Sequence, residues 1–243
     1  MARSHRARRT GVWHLGTVVG NSWLLVDDDG VRVLVDSGHR AERALVVAGL
    51  ARFGIVRSGD LDVVLLTHRH CDHAGNAAWL RERFDCAVAC HAADRGALEG
   101  AVRAARLAGR GAPPVYEALC RVEDSFPARA VVDHTFVEGE GQHGFEVVHV
   151  GGHTEGSVLL YHQPSATLFT GDALVTGPPV QRMVVRPRLA YRSFSDDADA
   201  CRANTVRYLR SRPRIARVCG GHGPMITNDV ERWLERIVGA RAG

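Results

Sequence analysis

The sequence has no lysine, and all 31 of its basic residues are arginine. Without a lysine amine, no side chain can form a Schiff base with a carbonyl substrate. The six cysteines include no C-x-x-C pair, which excludes a zinc ribbon and a thioredoxin-like redox motif. The sequence also lacks a G-x-S-x-G element, so we do not expect a Ser-His-Asp hydrolase.

Long apolar runs are absent as well. No stretch approaches the roughly 20 apolar residues that cross a membrane. No apolar secretory segment follows the arginine-rich start, so we expect residues 1–10 to be a disordered basic N-terminus and the protein to be cytoplasmic, without membrane contact. The alternative for this segment is contact with nucleic acid or another acidic surface.

The length and composition are typical of one globular domain. With 243 residues, of which 45% are hydrophobic, the chain can bury a sizeable core. We predict a single domain over residues 11–243. Alanine- and arginine-rich stretches predict a helical insertion at about residues 92–129, which is either a surface excursion or a wall of the substrate pocket.

Short strands and helices alternate in the first third of the chain. Residues 23–26 and 31–35 flank a turn-forming segment and predict a β-hairpin. The apolar spacing in residues 40–52 predicts an amphipathic helix. The apolar run at residues 61–66 predicts a strand that is buried on both faces.

Four metal-binding side chains directly follow this strand. His68, His70, Asp72 and His73 form an H-x-H-x-D-H cluster. On an extended or tightly turned segment, residues i and i+2 point the same way, so His68 and His70 can bind one ion while Asp72 and His73 face a second position. By the same alternation Cys71 turns away from the metals, and we expect it to pack in the core.

Three more candidate ligands stand at the ends of apolar strands and beside glycine: His153, Asp172 and His222. Glycine allows sharp turns and close approach of the backbone, so such positions can direct side chains at a common centre. The sequence therefore predicts a metal site that draws its ligands from distant parts of the chain.

Taken in order, these residues resemble the complete ligand signature of the metallo-β-lactamase fold superfamily, over residues 13–233. The resemblance implies an α/β fold, namely an αβ/βα four-layer sandwich of two mixed β-sheets flanked by helices. It implies that His68, His70 and His153 bind one metal ion, that Asp72, His73 and His222 bind the other, and that Asp172 bridges both. Asp36, in a segment similar to the family's D-x-G motif, is expected to orient one of these ligands. Glu155 departs from the family's common proline, which changes the local charge but not the ligand set.

Such a site implies a metal-dependent hydrolase. Two divalent ions, expected to be zinc with iron or manganese as alternatives, lower the pKa of a bridging water so that hydroxide is available near neutral pH. Asp72 would orient that water or accept its proton, which makes it the expected catalytic residue. The expected substrate is a small or medium molecule, anionic or carrier-bound, that contains an ester, thioester or lactone bond. Arg186 and Arg188 are either part of a solvated face or a binding element for an anionic substrate.

Other activities of the same fold remain open. A persulfide dioxygenase would bind one iron, through His68, His153 and Asp172. A phosphodiesterase or nuclease is the further alternative, although the insertion has no basic, glycine-rich arm and we do not expect nucleic acid as a partner. A typical glyoxalase II would add a helical glutathione-binding region, whereas 21 residues follow His222. A catalytically inactive binding protein is not expected, because no ligand is missing.

Overall fold

The computed structural model describes residues 10–103, 114, 117–118, 121, 125–139, 142–178, 183–211 and 214–239. The basic segment predicted at residues 1–10 therefore lies almost entirely outside the described residues. Of the helical insertion predicted at residues 92–129, residues 92–98 form a helix, and most of the remainder is likewise outside the described residues.

Six strands form the first sheet and lie side by side in chain order: β1 (Gly11–His14), β2 (Trp23–Val26), β3 (Arg32–Val35), β4 (Val63–Leu65), β5 (Ala87–His91) and β6 (His134–Phe136). The first three strands are antiparallel, and β3 to β6 are parallel. The predicted hairpin is confirmed as β2 and β3. The buried strand predicted at residues 61–66 is confirmed as the shorter β4.

The second sheet has the order β12 (Arg217–Gly220), β9 (Thr167–Gly171), β8 (Val158–His162) and β7 (Phe145–His149). β12 and β9 are parallel, and the other neighbours are antiparallel. A small antiparallel ribbon of β10 (Leu174–Val175) and β11 (Arg188–Leu189) follows β9. Both sheets are therefore mixed.

Helices cover the outer faces of the sheets. The helices that follow strands of the first sheet are α1 (Arg43–Ala51), α2 (Cys71–Ala74), α3 (Ala77–Phe84) and α4 (Ala92–Leu98), and those of the second sheet are α5 (Ala198–Ser211) and α6 (Val230–Gly239). Short 3-10 helices occupy Arg40–Glu42, Gln142–Gly144 and Arg192–Phe194. No helix in the described part of the chain has the length and apolar character needed to span a membrane.

Strand alternation divides the apolar residues among three cores. Leu24 and Leu34 pack outward with residues of α1 and α3, whereas Leu25 and Val33 pack inward against residues of β7, β8 and β9. A third core lies between the second sheet and helices α5 and α6. The expected four-layer αβ/βα sandwich is thereby confirmed, and Cys71 is buried in the outer core of the first sheet, as predicted.

One ion pair ties α3 to the far edge of the first sheet. The carboxylate of Asp133, just before β6, accepts hydrogen bonds from Arg81 Nε and Nη2 at 2.9 and 2.7 Å and from the backbone N–H of Val88 at 2.9 Å. The hydrogen bonds from Arg81 lower the pKa of the Asp133 carboxyl.

We expect Asp133→Asn to lower the free energy of unfolding by about 1 kcal/mol at neutral pH, because the amide presents a donor to the guanidinium. A lowered pKa in the folded state means that the ionised carboxylate stabilises the fold above the ordinary aspartate pKa and loses this effect in acid. Urea titrations of wild type and Asp133→Asn should therefore show a difference in the free energy of unfolding that shrinks as the pH falls below about 4. A difference independent of pH would contradict this interpretation.

Candidate metal centre

The H-x-H-x-D-H cluster lies where β4 ends and the chain turns into α2. His68 and His70 lie in the turn, and Asp72 and His73 belong to the single turn of α2. The three histidines are almost completely buried, while the Asp72 side chain remains 21% exposed. Strand and helix thus present the two halves of the cluster from different directions.

The glycine-flanked residues converge on this cluster from the second sheet. His153 follows β7, and its Nε2 lies 3.2 Å from His68 Nε2 and 3.0 Å from His70 Nδ1. Asp172 follows β9, and His222 follows β12; Asp172 Oδ2 lies 3.2 Å from His222 Nε2. The structure therefore brings together all seven residues that the sequence singled out as ligands.

The candidate ligand atoms form groups within 4.8 Å of one another. The first group is His68, His70 and His153, the second is Asp72, His73 and His222, and a further group of His68, His73 and Asp172 overlaps both. Asp172 lies between the first and second groups, with Oδ1 at 3.4 Å from His73 Nε2 and Oδ2 at 3.8 Å from His153 Nε2. We refer to the first group as the three-histidine set and to the second as the aspartate set.

Asp36 orients two of the histidines. Its Oδ2 accepts a hydrogen bond from His73 Nδ1 at 2.8 Å and another from Thr67 Oγ1 at 2.8 Å. Because the Thr67 hydroxyl donates to Asp36, it is free to accept from His68 Nδ1, which lies 3.0 Å away. With Nδ1 as the donor in each case, Nε2 is the nitrogen that faces the centre and can bind a metal ion. Asp36 has φ +57°, a strained conformation for this residue type.

Ser195 orients the imidazole of His153, and this role was not predicted from the sequence. Its hydroxyl donates to the carbonyl of Tyr191 at 2.7 Å and lies 3.0 Å from His153 Nδ1. The imidazole therefore donates from Nδ1 and directs Nε2 toward His68 and His70. No sequence signal pointed to this serine. It directly follows a short 3-10 helix and is 42 positions from His153 along the chain.

The protonation of the buried groups tests whether the site suits cations. Burial lowers the pKa of His68 and His70 well below the usual range and that of His153 to about 4. Three neutral imidazoles thus face one another at about 3 Å, an arrangement that a cation between them would stabilise.

The aspartate set has the opposite electrostatic character. Although burial opposes it, the carboxylates of Asp172 and Asp72 raise the pKa of His222 to about 10. The same two carboxylates raise the pKa of His73, again against burial. Divalent cations would supply this positive charge in place of the protons, so the donor set fits a metal. Among the described residues, His73 Nε2 and Asp172 Oδ1 are buried without a hydrogen-bond partner.

The structure places Arg186 and Arg188 outside this cluster. Arg188 pairs with Val175 in the β10–β11 ribbon, and the Arg186 N–H donates to the carbonyl of Thr176. Thr176 in turn donates to the carbonyl of His222. The two exposed arginines are therefore anchored, through the backbone, to the loop that carries a candidate ligand.

Comparisons with known proteins agree with this geometry. A family profile described as the metallo-beta-lactamase superfamily matches residues 15–222. The chain belongs to the metallo-β-lactamase superfamily. It is 29% identical over 233 residues to a probable metallo-hydrolase, YybB, of Bacillus subtilis (strain 168), covering 90% of this chain and 87% of the relative. It is also 28% identical over 223 residues to a hydroxyacylglutathione hydrolase of Ectopseudomonas mendocina (strain ymp), covering 88% and 72%.

Solved structures share the fold. The B3 metallo-β-lactamase BLEG-1 superposes with a TM-score of 0.65 at 26% identity, covering 93% of this chain and 96% of that one. The protein TTHA1623 in a di-iron-bound form superposes with a TM-score of 0.58 at 30% identity, covering 92% and 97%. The His and Asp cluster of this chain thus lies in a fold that supports divalent metal binding.

Gly221 offers a sharp test of the aspartate set. A Cβ at this position would overlap Asp172 Oδ1 and lie 2.7 Å from His73 Cε1. We expect Gly221→Ala to displace both side chains and to lower metal affinity at least about tenfold, measured by competition with a chelator. Gly239→Ala is the matched control, because a Cβ there meets nothing within 4 Å. Equal affinities in the two variants would contradict the proposed contact between Gly221 and the site.

Proposed function

We propose that this protein is a metal-dependent hydrolase that cleaves a thioester or a related ester or lactone bond. The observation that carries the proposal is the position of Asp172 between two complete donor sets, each with three ligand atoms within 4.8 Å. Paired metal sites of this kind serve hydrolysis, whereas a single-iron oxygenase needs fewer protein ligands.

In the proposed assignment, His68, His70 and His153 would hold one ion, and Asp72, His73 and His222 would hold the other, with Asp172 available to either. When bound, such ions lower the pKa of water and polarise a carbonyl oxygen. Zinc suits the nitrogen-rich set, and iron or manganese would also bind these ligand types.

The side chains then have separate tasks. Asp36, Thr67 and Ser195 hold the imidazoles in the orientation described above. The Asp72 carboxylate lies at the edge of the cluster, with one oxygen 3.4 Å from both His73 Nε2 and His222 Nε2. It is the more exposed of the two cluster carboxylates and can therefore orient an incoming water or accept its proton.

A thioester is the favoured bond because relatives covering most of this chain are named hydroxyacylglutathione hydrolases. Such a substrate is small and anionic, which suits the arginines of the β10–β11 ribbon. Esters, lactones and carrier-bound acyl groups follow the same chemistry, since water attacks a carbonyl in each case.

Metal analysis and a substrate panel test the proposal together. We expect about two zinc ions per purified chain and hydrolysis of hydroxyacyl thioesters. Asp72→Asn should lower kcat by about a hundredfold or more when it is assayed at saturating zinc, while Asp28→Asn in the exposed β2–β3 turn serves as the control. One iron per chain with oxygen-dependent formation of sulfite from a persulfide would replace the hydrolase by a dioxygenase. Activity on phosphodiesters alone would replace it by a phosphodiesterase.

Arg186 and Arg188, just before and within β11, give a separate prediction. We expect the double change Arg186→Gln and Arg188→Gln to raise KM severalfold for an anionic thioester and to leave kcat unchanged, because the lost groups bind the substrate remote from the reacting carbonyl. A neutral thioester with the same acyl group should show no change. Arg207→Gln, at an exposed position of α5, controls for loss of surface charge. Unchanged KM for the anionic substrate would remove the arginines from the binding site.

A further inference from the structure

A buried carboxylate outside the ligand set joins the two loops that carry the three-histidine set. Asp94 lies in the first turn of α4, and its side chain is 1% exposed. Its Oδ2 accepts from the backbone N–H of Arg69 at 2.9 Å and from the hydroxyl of Thr154 at 2.7 Å. Its Oδ1 accepts from the backbone N–H of Gly156 at 3.1 Å.

Asp94 contacts residues that are adjacent in the sequence to the three histidines. Arg69 stands between His68 and His70, and Thr154 follows His153 directly. One carboxylate therefore holds the neighbours of all three members of the set. The backbone of the His153 loop packs closely against the Asp94 side chain, because a Cβ at Gly156 would lie 2.6 Å from Asp94 Cγ.

The Arg69 side chain closes this arrangement into a ring. Its guanidinium lies 3.6 Å from Asp94 and donates to Asp196 at 3.1 Å. The backbone N–H of Asp196 donates to the carbonyl of His153. The ring thus returns to the histidine loop through the segment that also contains Ser195, the hydrogen-bond partner of the His153 imidazole.

The ring engages one donor set and not the other. Among the described residues, Asp94 makes no hydrogen bond or ion pair with Asp72, His73 or His222. In that set, His73 is supported by Asp36, and Gly221 lies against His73 and Asp172. Asp36 also reaches His68 through Thr67 and so supports one histidine of each set, whereas the described contacts of Asp94 are confined to the loops of the three-histidine set.

We propose that Asp94 is a positioning residue that holds the three-histidine set together, so that its loss weakens metal binding in that set and leaves the aspartate set intact. The inference rests on the metal centre of the proposed function. A carboxylate suits the position because every partner is a donor and its two oxygens only accept. An asparagine would turn its NH2 group toward the Arg69 N–H in one orientation and toward the Gly156 N–H in the other, and would lose that hydrogen bond in either case.

The test counts and titrates metal in Asp94→Asn. Wild type should hold about two zinc ions, whereas the variant should hold about one zinc ion tightly. Its affinity for the second ion should be lowered at least about tenfold in chelator competition. The absorption spectrum of the cobalt-substituted protein should lose the component of a nitrogen-rich site. Thr154→Val removes only the hydroxyl donor and should cause the same selective loss in smaller degree, which keeps the test valid if Asp94→Asn does not fold.

Asp133→Asn is the matched control. Asp133 also accepts from an arginine and a backbone N–H, but it does so at the α3–β6 edge. This variant should unfold more easily than wild type and still bind two ions. If Asp94→Asn loses thermal stability and binds both ions like wild type, Asp94 is merely structural and the inference fails. If wild type itself binds no divalent metal, the proposed function fails first.

Discussion

The neutralisation of two carboxylates, where the sheets meet, is the constraint on which this site depends. Asp72 and Asp172 lie within 3.4 Å of the same imidazoles, and both retain a pKa well below the usual range despite burial. A buried negative charge is tolerated only when it is paired. Here His73 and His222 are held close enough to provide that pairing, and the same geometry allows divalent ions to take the place of their protons.

This constraint explains why the surrounding backbone packs so closely against the side chains of the site. The strand ends of both sheets must approach until side chains from four loops share one volume, and glycine makes this possible at two points. Gly171, with φ +47°, lies against Thr67, and Gly221 lies against Asp172. The strained backbone of Asp36 belongs to the same arrangement, since its carboxylate accepts hydrogen bonds from both Thr67 and His73. Strain of this kind persists when the surrounding contacts stabilise it.

Several strands, the turn between β2 and β3 and the H-x-H-x-D-H cluster could be predicted from the sequence because each of these signals lies within a few residues. The candidate ligands His153, Asp172 and His222 were predicted from their positions beside glycine at strand ends and from the resemblance to the superfamily. The supporting groups could not be predicted in this way. Ser195 reaches His153 across 42 positions, and Asp94 reaches Thr154 across 60. A serine after a short 3-10 helix or an aspartate in the first turn of a helix has no distinguishing neighbours in the sequence, and its role appears only when these segments are packed together.

The separation between the centre and its surroundings bears on substrate choice. The donor sets are held by buried hydrogen bonds that leave little freedom for change. The segment that contains β11, in contrast, carries the exposed Arg186 and Arg188. The described hydrogen bonds that connect it to the His222 loop run through Thr176, whose N–H and hydroxyl both donate to the carbonyl of His222. These hydrogen bonds involve no arginine side chain, so the arginines can vary without disturbing a candidate ligand. Under the proposed function, the buried centre supplies the hydrolytic chemistry and the exposed arginines beside it select an anionic acyl group.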